Sequence, residues 1–431
     1  MFCMRASDIA LRMPRAHYGW LVVAVVFLSA GLLIGTSNYA FGLFIEPLEA
    51  TFNWSRTAIS ASLSFMAIGS LTSPFLGRLM DRYGARPVMA GSLVTFGVSF
   101  ALRPLITELW HLYALSFLQF MCFSGAALLP AGRLVGIWFP RTRGRVMGIT
   151  MVGNNFGGLT MPFITGFVLA SATEWGVDVP WKMVFLIIAA LSFVLAFAAL
   201  ALVHEEPGGR DDSAVRPDPS RAARQALTGW TLREAIRTRA FYAITLVAML
   251  ASFTYSAVLP HVNAHLAAEG LSTTVVIAAV GLLATFGMGG KVVFGYLAER
   301  ITARRAMIGS LSGQIVFIVL MVSYPSLPLV WVTVPLYGFF MGAYGVLGTL
   351  IVQESFGIRY FGSISGLSQM ATVVPMVTGP LIAGLSFDLW DDYGPAFLAV
   401  AGLFAVSVVT LMRTNPPKFT TEITKPTALE I

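Results

Sequence analysis

GRLMDRYGAR, at residues 77–86, reappears 218 positions later as GYLAERITAR, at residues 295–304. Both copies follow an apolar stretch, and both read G-x-x-x-[D/E]-R-x-x-x-R. The same spacing carries Gly144 onto Gly362, together with further Gly and Pro positions, so one register runs through much of each half. A shared register of this kind indicates two homologous halves joined in tandem.

The composition indicates that these halves lie in a membrane. Hydrophobic residues make up 56% of the chain, charged residues only 11%, and the mean hydropathy is +0.77. A soluble domain carries roughly 25% charged residues. Windows of about 20 apolar residues predict twelve spans. We therefore predict an all-α membrane protein of two pseudo-symmetric six-helix bundles, an arrangement typical of secondary transporters, which bind substrate between their halves.

The predicted spans and connections define five regions. The spans fall at approximately 18–46, 56–80, 87–106, 109–137, 145–171, 181–203, 240–264, 273–298, 305–324, 328–353, 362–387 and 394–412. The regions are an N-terminal tail (1–17), a first bundle (18–203), a linker with a short amphipathic helix (204–239), a second bundle (240–412) and a C-terminal tail (413–431). In the linker, Thr231 and Glu234 have the spacing of a helix capping box.

The basic residues predict the orientation of the chain. Twelve spans place both chain ends and the linker on one side, which then holds 23 of the 28 Lys and Arg residues. Basic loops stay in the cytoplasm, so we expect both termini there. The net charge of +7 then reflects topology and predicts no nucleic-acid partner. Short loops and tails favour a monomer in a bacterial inner membrane.

Several motifs together carry a family resemblance. The doubled loop, the twelve spans and the central linker resemble the major facilitator superfamily over nearly the whole chain. YGW at residues 18–20, NWSR at 53–56 and WFPR at 138–141 are similar to motifs of its monocarboxylate and oxalate/formate branch. The resemblance implies two bundles that rock about a central cavity lined mainly by the first, fourth, seventh and tenth spans.

The resemblance also implies that the doubled loop is a conformational latch, whose acid and arginines pair with neighbouring helix ends on the cytoplasmic side. Asp81 and Glu299 lie where a helix ends, so they can bind amide groups or arginines there. The alternative is a solvated loop that only enforces topology, but matching acids in both halves favour the latch. The predicted latch residues are Gly77, Asp81, Arg82, Arg86, Gly295, Glu299, Arg300 and Arg304.

Lys291 is the predicted centre of the substrate site. It precedes Glu299 by eight positions, about 12 Å along a helix, which is too deep for easy snorkelling. A lysine facing lipid at that depth is costly, so we expect it in a wet or polar cavity. No Asp or Glu lies at comparable depth in any predicted span, and an unpaired cation calls for an anion.

The family resemblance agrees with a carboxylate ligand. In the branch named above, the corresponding position of the eighth helix usually holds an arginine that binds the substrate carboxylate. Lysine offers a point charge where arginine offers a bidentate fork, so we expect a different specificity. Other donors that could complete a carboxylate site, each equally well explained by helix packing, are Asn38, Tyr39, Gln119, Tyr255 and Tyr344. Asn154 and Asn155 are predicted to bond between close-packed helices.

The coupling mode stays open at this stage. Gly287 stands one turn before Lys291, where proton-coupled animal members of the branch carry an aspartate, so proton symport by that residue is excluded. Lys291 itself could gain and lose a proton as an anion binds and leaves. His261 or His265, near the outer end of the seventh span, could do so, although such histidines are often only interfacial. The third possibility is exchange of one anion for another.

Arg133 is the other basic residue inside a predicted span. It lies five residues before Trp138, at the cytoplasmic end of the fourth span. From that depth an arginine side chain reaches water easily. We therefore favour snorkelling to the cytoplasm over a role in an inner gate.

The leading functional prediction is a secondary transporter of small organic anions, monocarboxylate-like, with proton symport or anion exchange. The alternatives are a carrier of a drug-like or neutral solute, with Lys291 serving structure, and a receptor that has lost transport. The doubled latch and the buried cation argue against the receptor. The sequence has no Walker-type loop, nucleophile elbow or metal-spaced His/Cys cluster, so we expect no enzyme, cofactor or metal.

Overall fold

The computed structural model of the protein is built almost entirely from helices. It describes residues 15–171, 179–205, 229–324 and 326–414. The predicted tails and most of the linker, residues 1–14, 206–228 and 415–431, lie outside the described residues. Apart from one isolated bridge between Gly229 and Gly357, the described residues form helices and their connections. Helices satisfy their own backbone polar groups, as a hydrocarbon environment requires.

Twelve long helical segments, counted over the described ranges, follow the predicted order, and we number them as spans 1 to 12. Their bounds are His17–Tyr39, Arg56–Tyr83, Ala85–Leu105, the bent pair Leu109–Met121 and Phe123–Trp138, Arg143–Ser171, Pro180–Leu202, Arg239–Val258, Thr274–Ile301, Ala303–Ser323, Leu327–Phe356, Phe361–Trp390 and Gly394–Arg413. By length and composition ten of them can cross a membrane, and the pair bent by 46° makes eleven. Span 5 is 29 residues long but less apolar, because it carries two asparagines and several glycines.

The two halves repeat each other element by element. Spans 3 and 4 begin at Ala85 and Leu109, and spans 9 and 10 begin at Ala303 and Leu327, 218 positions later in both cases. The predicted register is therefore present in the helices themselves. The molecule consists of two pseudo-symmetric bundles of six spans.

Spans 1 and 7 change their winding at equivalent places. A π-helix covers Gly35–Tyr39 in span 1 and Thr254–Val258 in span 7. Short helices, Ile45–Phe52 and Val262–Ala268, follow beyond them. The continuous first and seventh spans predicted to residues 46 and 264 are therefore wrong at their outer ends, because a π turn takes an extra residue and interrupts the α-helical register.

A short helix, Leu232–Ala235, leads from the described end of the linker into the second bundle. The Thr231 hydroxyl accepts a hydrogen bond from Glu234 N at 3.3 Å, and the Glu234 carboxylate accepts one from Thr231 N at 2.7 Å. These reciprocal bonds form a capping box, which fixes where this helix starts.

The two halves meet along spans 2 and 11 and along spans 5 and 8. Glycines allow backbone contact there: a Cβ on Gly77 would lie 2.0 Å from Gly362 O, and one on Gly144 would lie 2.1 Å from Gly295 O. The 218-residue shift converts the first pair into the second, so the interface itself is two-fold symmetric. We call the end of the molecule with these contacts the motif side, and the opposite end the outer side.

Candidate functional site

Lys291 lies between the two halves and is only 9% exposed. Its Nζ donates hydrogen bonds to Met151 O at 3.1 Å and to Asn155 Oδ1, both on span 5. Among the described residues, no carboxylate lies within 4.0 Å of this Nζ. The cation predicted to be unpaired thus has hydrogen-bond partners, because Asn155 reaches it from the other half, but its charge has no counter-ion.

The residue equivalent to Lys291 in the first half is Ser73, 218 positions earlier. The two backbones pack alike: a Cβ on Gly148 would lie 2.5 Å from Lys291 O, and one on Gly366 would lie 2.4 Å from Ser73 O. Ser73 is fully buried, and its Oγ has no hydrogen-bond partner. The fold therefore makes this contact with a small neutral residue, and packing does not require the charge of Lys291.

Tyr39 lies close to Lys291 along span 5. A Cβ on Gly158 would lie 3.0 Å from the Tyr39 ring. Gly158 follows Asn155 by three residues, about 4.5 Å along a helix. Tyr39 is 47% exposed, and Asn38 beside it is exposed as well. The phenol is therefore available roughly one turn outward from the partner of the ammonium.

The other predicted polar residues differ in their availability. Tyr255 is 40% exposed, and its ring centroid lies 5.8 Å from that of Tyr344. Tyr344 OH donates to Ala248 O at 2.8 Å inside its own bundle. Gln119 is buried and accepts a hydrogen bond from Arg103, also inside its own bundle. The contacts of Tyr344 and Gln119 are thus packing contacts, whereas Tyr255 keeps an exposed surface.

Asp81 joins the first copy of the loop to the second bundle. Its Oδ1 accepts a hydrogen bond from Gly362 N at 3.0 Å, and its Oδ2 accepts one from Ser363 N at 2.7 Å. These amides belong to the first turn of span 11, where a helix attracts negative charge. The carboxylate also pairs with Arg133 Nη1 at 3.1 Å. Asp81 therefore binds a helix start and a buried cation together.

Glu299 makes the equivalent contact from the second copy. Its Oε1 accepts a hydrogen bond from Arg145 N at 2.9 Å, and its Oε2 pairs with Arg145 Nε at 3.1 Å. Arg145 lies in the first turn of span 5 and precedes Ser363 by 218 positions. Each predicted acid thus binds the start of a helix in the opposite half.

The arginines of the doubled loop make different contacts. Arg304 Nε donates to Leu411 O at 2.7 Å, and Arg300 Nη2 donates to Tyr296 OH at 2.7 Å, both within the second half. The Arg82 guanidinium lies 5.2 Å from the ring of Tyr83, and Arg86 is exposed. Asp81 and Glu299 therefore make the contacts across the interface that are described above.

Arg133 is 1% exposed, so the prediction that it snorkels to water is wrong. Its Nε lies 2.9 Å from Glu205 Oε1, and its Nη1 contacts Asp81. Nη1 also donates to Arg359 O, in the second half, at 3.4 Å. Two carboxylates hold the guanidinium in the interior, which removes its need for water. Arg133 belongs to the inter-half network, the role that the sequence placed second.

His261 and His265 lie at the outer side. His261 Nδ1 donates to Ala257 O at 2.8 Å. His265 is 1% exposed, and its Nδ1 lies 3.8 Å from Asp392 Oδ1. Burial lowers the pKa of the His265 imidazole below its ordinary value of 6.5, and the carboxylates of Glu269 and Asp392 oppose this shift in part.

We expect the protein to lose stability as the pH falls below about 6.5, because His265 then takes up a proton more readily in the unfolded chain than in the folded one. The thermal unfolding midpoint in detergent, measured from about pH 8 to about pH 5, should fall less steeply for His265→Asn than for wild type. His261→Asn is the matched control and should keep the wild-type slope. Equal slopes for wild type and His265→Asn would contradict the assignment.

Two bundles that close on each other through paired helix contacts, with a buried cation between them, define a secondary membrane transporter. The chain belongs to the Major Facilitator Superfamily, whose family model matches residues 27–380 and, in a second match, residues 290–428. The predicted family and the predicted two-bundle fold are thereby confirmed.

Curated relatives and solved structures agree with this membership. Monocarboxylate transporter 13 of Rattus norvegicus is 25% identical over 413 residues, which cover 94% of this chain and 91% of that protein. Monocarboxylate transporter 11 of Homo sapiens is 26% identical over 405 residues, which cover 90% and 81%. The proton:xylose symporter XylE, bound to 6-bromo-6-deoxy-D-glucose, shares the fold with a TM-score of 0.73 at 13% identity, covering 94% of this chain and 97% of that one.

Proposed function

We propose that the protein is a secondary active transporter of small monocarboxylate-like anions that works by alternating access. The observation that carries this proposal is the Lys291 ammonium, which is buried between the halves and hydrogen-bonded only to the neutral oxygens of Met151 and Asn155. A carboxylate is the ligand that would balance this charge. The names of the two relatives, both monocarboxylate transporters, support the same class of substrate.

The asymmetry between the halves supports a ligand-binding role for Lys291. Its counterpart Ser73 packs against glycine in the same way without any charge. A cation that packing does not need, at a depth where charge is expensive, is a functional-site hypothesis by default. Tyr39 and Asn38 are the nearest predicted donors for a second carboxylate oxygen or a substrate hydroxyl, with Tyr255 on the second bundle.

Substrate binding is then linked to movement of span 8 against span 5. Lys291 ties the two spans together through Asn155. A substrate carboxylate competes for the same N–H donors, and a hydrogen bond between two charged groups is roughly twice as strong as one to a neutral oxygen. Binding of the anion would therefore release Asn155 and weaken one link between the halves.

The described contacts belong to a state that is closed on the motif side. Asp81, Glu299 and the glycine pairs hold the halves together there, and Gln353 Nε2 donates across the interface to Gly132 O at 2.6 Å. The distribution of basic residues supports placing this side in the cytoplasm. Release of substrate into the cytoplasm then requires these contacts to separate.

The proposed coupling does not use residue 287. Gly287 lies against span 10, where a Cβ on Gly342 would lie 2.1 Å from Gly287 O, so the position serves a close helix contact. Proton movement by Lys291, proton movement by His265 beside Asp392, and exchange of anions are the three coupling modes that the transport experiment separates.

One observation favours a second candidate function. The two hydrogen bonds of Lys291 to span 5 would also suit a purely structural tie. In that case the protein is a carrier of another solute, drug-like or neutral, and its substrate does not contact the ammonium.

Uptake of labelled lactate, pyruvate, oxalate and formate into proteoliposomes tests the proposal. The wild-type protein should show saturable uptake of at least one of these anions. Stimulation by a pH gradient would indicate proton coupling, and stimulation by internal anion would indicate exchange. If folded wild-type protein takes up none of the four, the monocarboxylate proposal fails and the second candidate replaces it.

A further inference from the structure

A buried arginine lies inside the first bundle without an acid beside it. Arg103, at the outer end of span 3, is 4% exposed. Its Nη2 donates to Gln119 Oε1 at 2.5 Å and to Ser116 Oγ at 3.4 Å, while its Nε has no hydrogen-bond partner. Its guanidinium also lies 4.1 Å from the Phe100 ring and 5.2 Å from that of Phe185. No carboxylate within the described ranges lies within 4.0 Å of it.

Such a charge calls for a counter-ion. Burying an isolated ion is expensive, and proteins normally pair or neutralise it. Aromatic faces and neutral oxygens satisfy part of the hydrogen bonding and attraction of a guanidinium, but they leave its net charge uncompensated. The free Nε–H is a donor that still lacks an acceptor.

A small cavity adjoins the guanidinium. Its volume is about 10 Å³, measured as the space open to the centre of a water-sized sphere, so it has room for about one particle of that size. The hydroxyl of Thr36 lines the same cavity and, like Arg103 Nε, has no hydrogen-bond partner. The other polar residues that line the cavity are Ser37, Ser62, Ser116 and Gln119.

The second bundle shows that the fold needs neither the charge nor the cavity. The 218-residue register converts Arg103, Ser116 and Ser62 into apolar residues, namely Met321, Val334 and Val280. It converts Gln119 into Tyr337, whose hydroxyl bonds with that of Thr254 at 2.5 Å, and Thr254 is the counterpart of Thr36. Both Tyr337 and Thr254 are fully buried. The polar set around Arg103 is therefore particular to the first bundle.

We propose that this cavity binds one small monovalent anion of the size of chloride, held by the Arg103 guanidinium and the Thr36 hydroxyl. The volume selects a monatomic ion over an organic carboxylate, and an anion balances the guanidinium charge, which a water molecule does not. The site lies within the first bundle, apart from Lys291 between the halves. Because Thr36 belongs to the π-helical turn of span 1, the bound anion fixes that turn against spans 3 and 4.

Halide-dependent stability tests the site. Purified protein in detergent is compared in potassium chloride, potassium bromide and potassium gluconate at equal ionic strength. We expect chloride and bromide to raise the melting temperature saturably by about 2–4 °C relative to gluconate. Crystals grown with bromide should show an anomalous peak beside Arg103.

Arg103→Met, which copies the residue found at the equivalent position 321, should lose both the halide shift and the peak. Arg56→Met is the matched control, because it removes an exposed arginine from the same side, and it should keep both. A halide shift that persists in Arg103→Met would overturn the proposal, as would wild-type protein that shows no shift and only water in the cavity.

A second variant keeps the proposal testable if Arg103→Met does not fold. Thr36→Val removes the unpartnered hydroxyl and leaves the cation in place. We expect it to raise the half-saturating chloride concentration about tenfold, and an unchanged concentration would count against the site. None of these readouts depends on the transported solute, so failure of the monocarboxylate proposal would leave this result standing.

Discussion

Lys291→Met is expected to lower the uptake efficiency for the transported anion by about 10- to 100-fold, because hydrogen bonds to charged groups contribute about 1.5–3 kcal/mol. Methionine keeps much of the apolar stem and removes the charge. Lys291→Arg should retain transport with an altered KM, since it keeps the charge and changes its geometry. Initial uptake rates over a range of substrate concentrations measure both effects.

Two further variants separate substrate binding from the tie between spans. Asn155→Leu removes the side-chain partner of Lys291 and leaves the cation, so the substrate meets less competition and its KM should fall. Ser73→Ala, at the position equivalent to Lys291, is the matched control and should transport as wild type does. Wild-type kinetics in folded Lys291→Met would assign Lys291 a purely structural role.

Asp81→Asn is expected to destabilise the closed motif side by about 3 kcal/mol, because it removes one partner of the buried Arg133. The side chains of Arg133 and Asp81 are only 1% and 6% exposed. Glu299→Gln should cost about 1 kcal/mol or less, since its partner Arg145 is 49% exposed and solvent screens the pair. The two acids occupy equivalent positions, so burial is the variable that distinguishes them.

Amide hydrogen exchange measures this difference directly. In Asp81→Asn, exchange at Gly362 and Ser363 should accelerate about 100-fold, which corresponds to about 3 kcal/mol. In Glu299→Gln, exchange at Arg145 should accelerate about fivefold or less. Equal acceleration in the two variants would contradict the argument from burial.

The doubled loop and its helix contacts could be predicted because their chemistry is local. A glycine, an acid four residues later and a helix end appear together in the sequence, and the same spacing recurs in the other half. The predicted acids do bind helix starts of the opposite half. The arginines of the loop could not be placed, because a long charged side chain has several partners within reach and tertiary packing selects among them.

Arg133 and Glu205 were missed for a related reason. Snorkelling is judged from the distance between a residue and the nearest end of its own helix, which takes no account of an acid that approaches from elsewhere. Glu205 follows Arg133 by 72 residues and stands in a charged stretch that reads as solvated linker. It nevertheless also accepts a hydrogen bond from Ala85 N, so it caps span 3 as well as pairing with Arg133.

Asn155 and Arg103 show the same limit at the two buried cations. Asn155 was expected to bond between helices, and it does, but the sequence gives no sign that its partner is Lys291. Arg103 was counted among the few basic residues of the outer side, where a charge normally meets water. Its burial becomes visible only when spans 1, 3 and 4 are packed together.

The π-helical turns in spans 1 and 7 carry a mechanical consequence. Each holds one residue more than an α-turn, so rewinding a single residue there would turn the outer segment by about 100° and shift it by about 1.5 Å. Tyr39 on span 1 and Tyr255 on span 7 lie within these turns. Each bundle therefore possesses its own small swivel, able to reorient an aromatic side chain at the outer side while the contacts of the motif side stay in place.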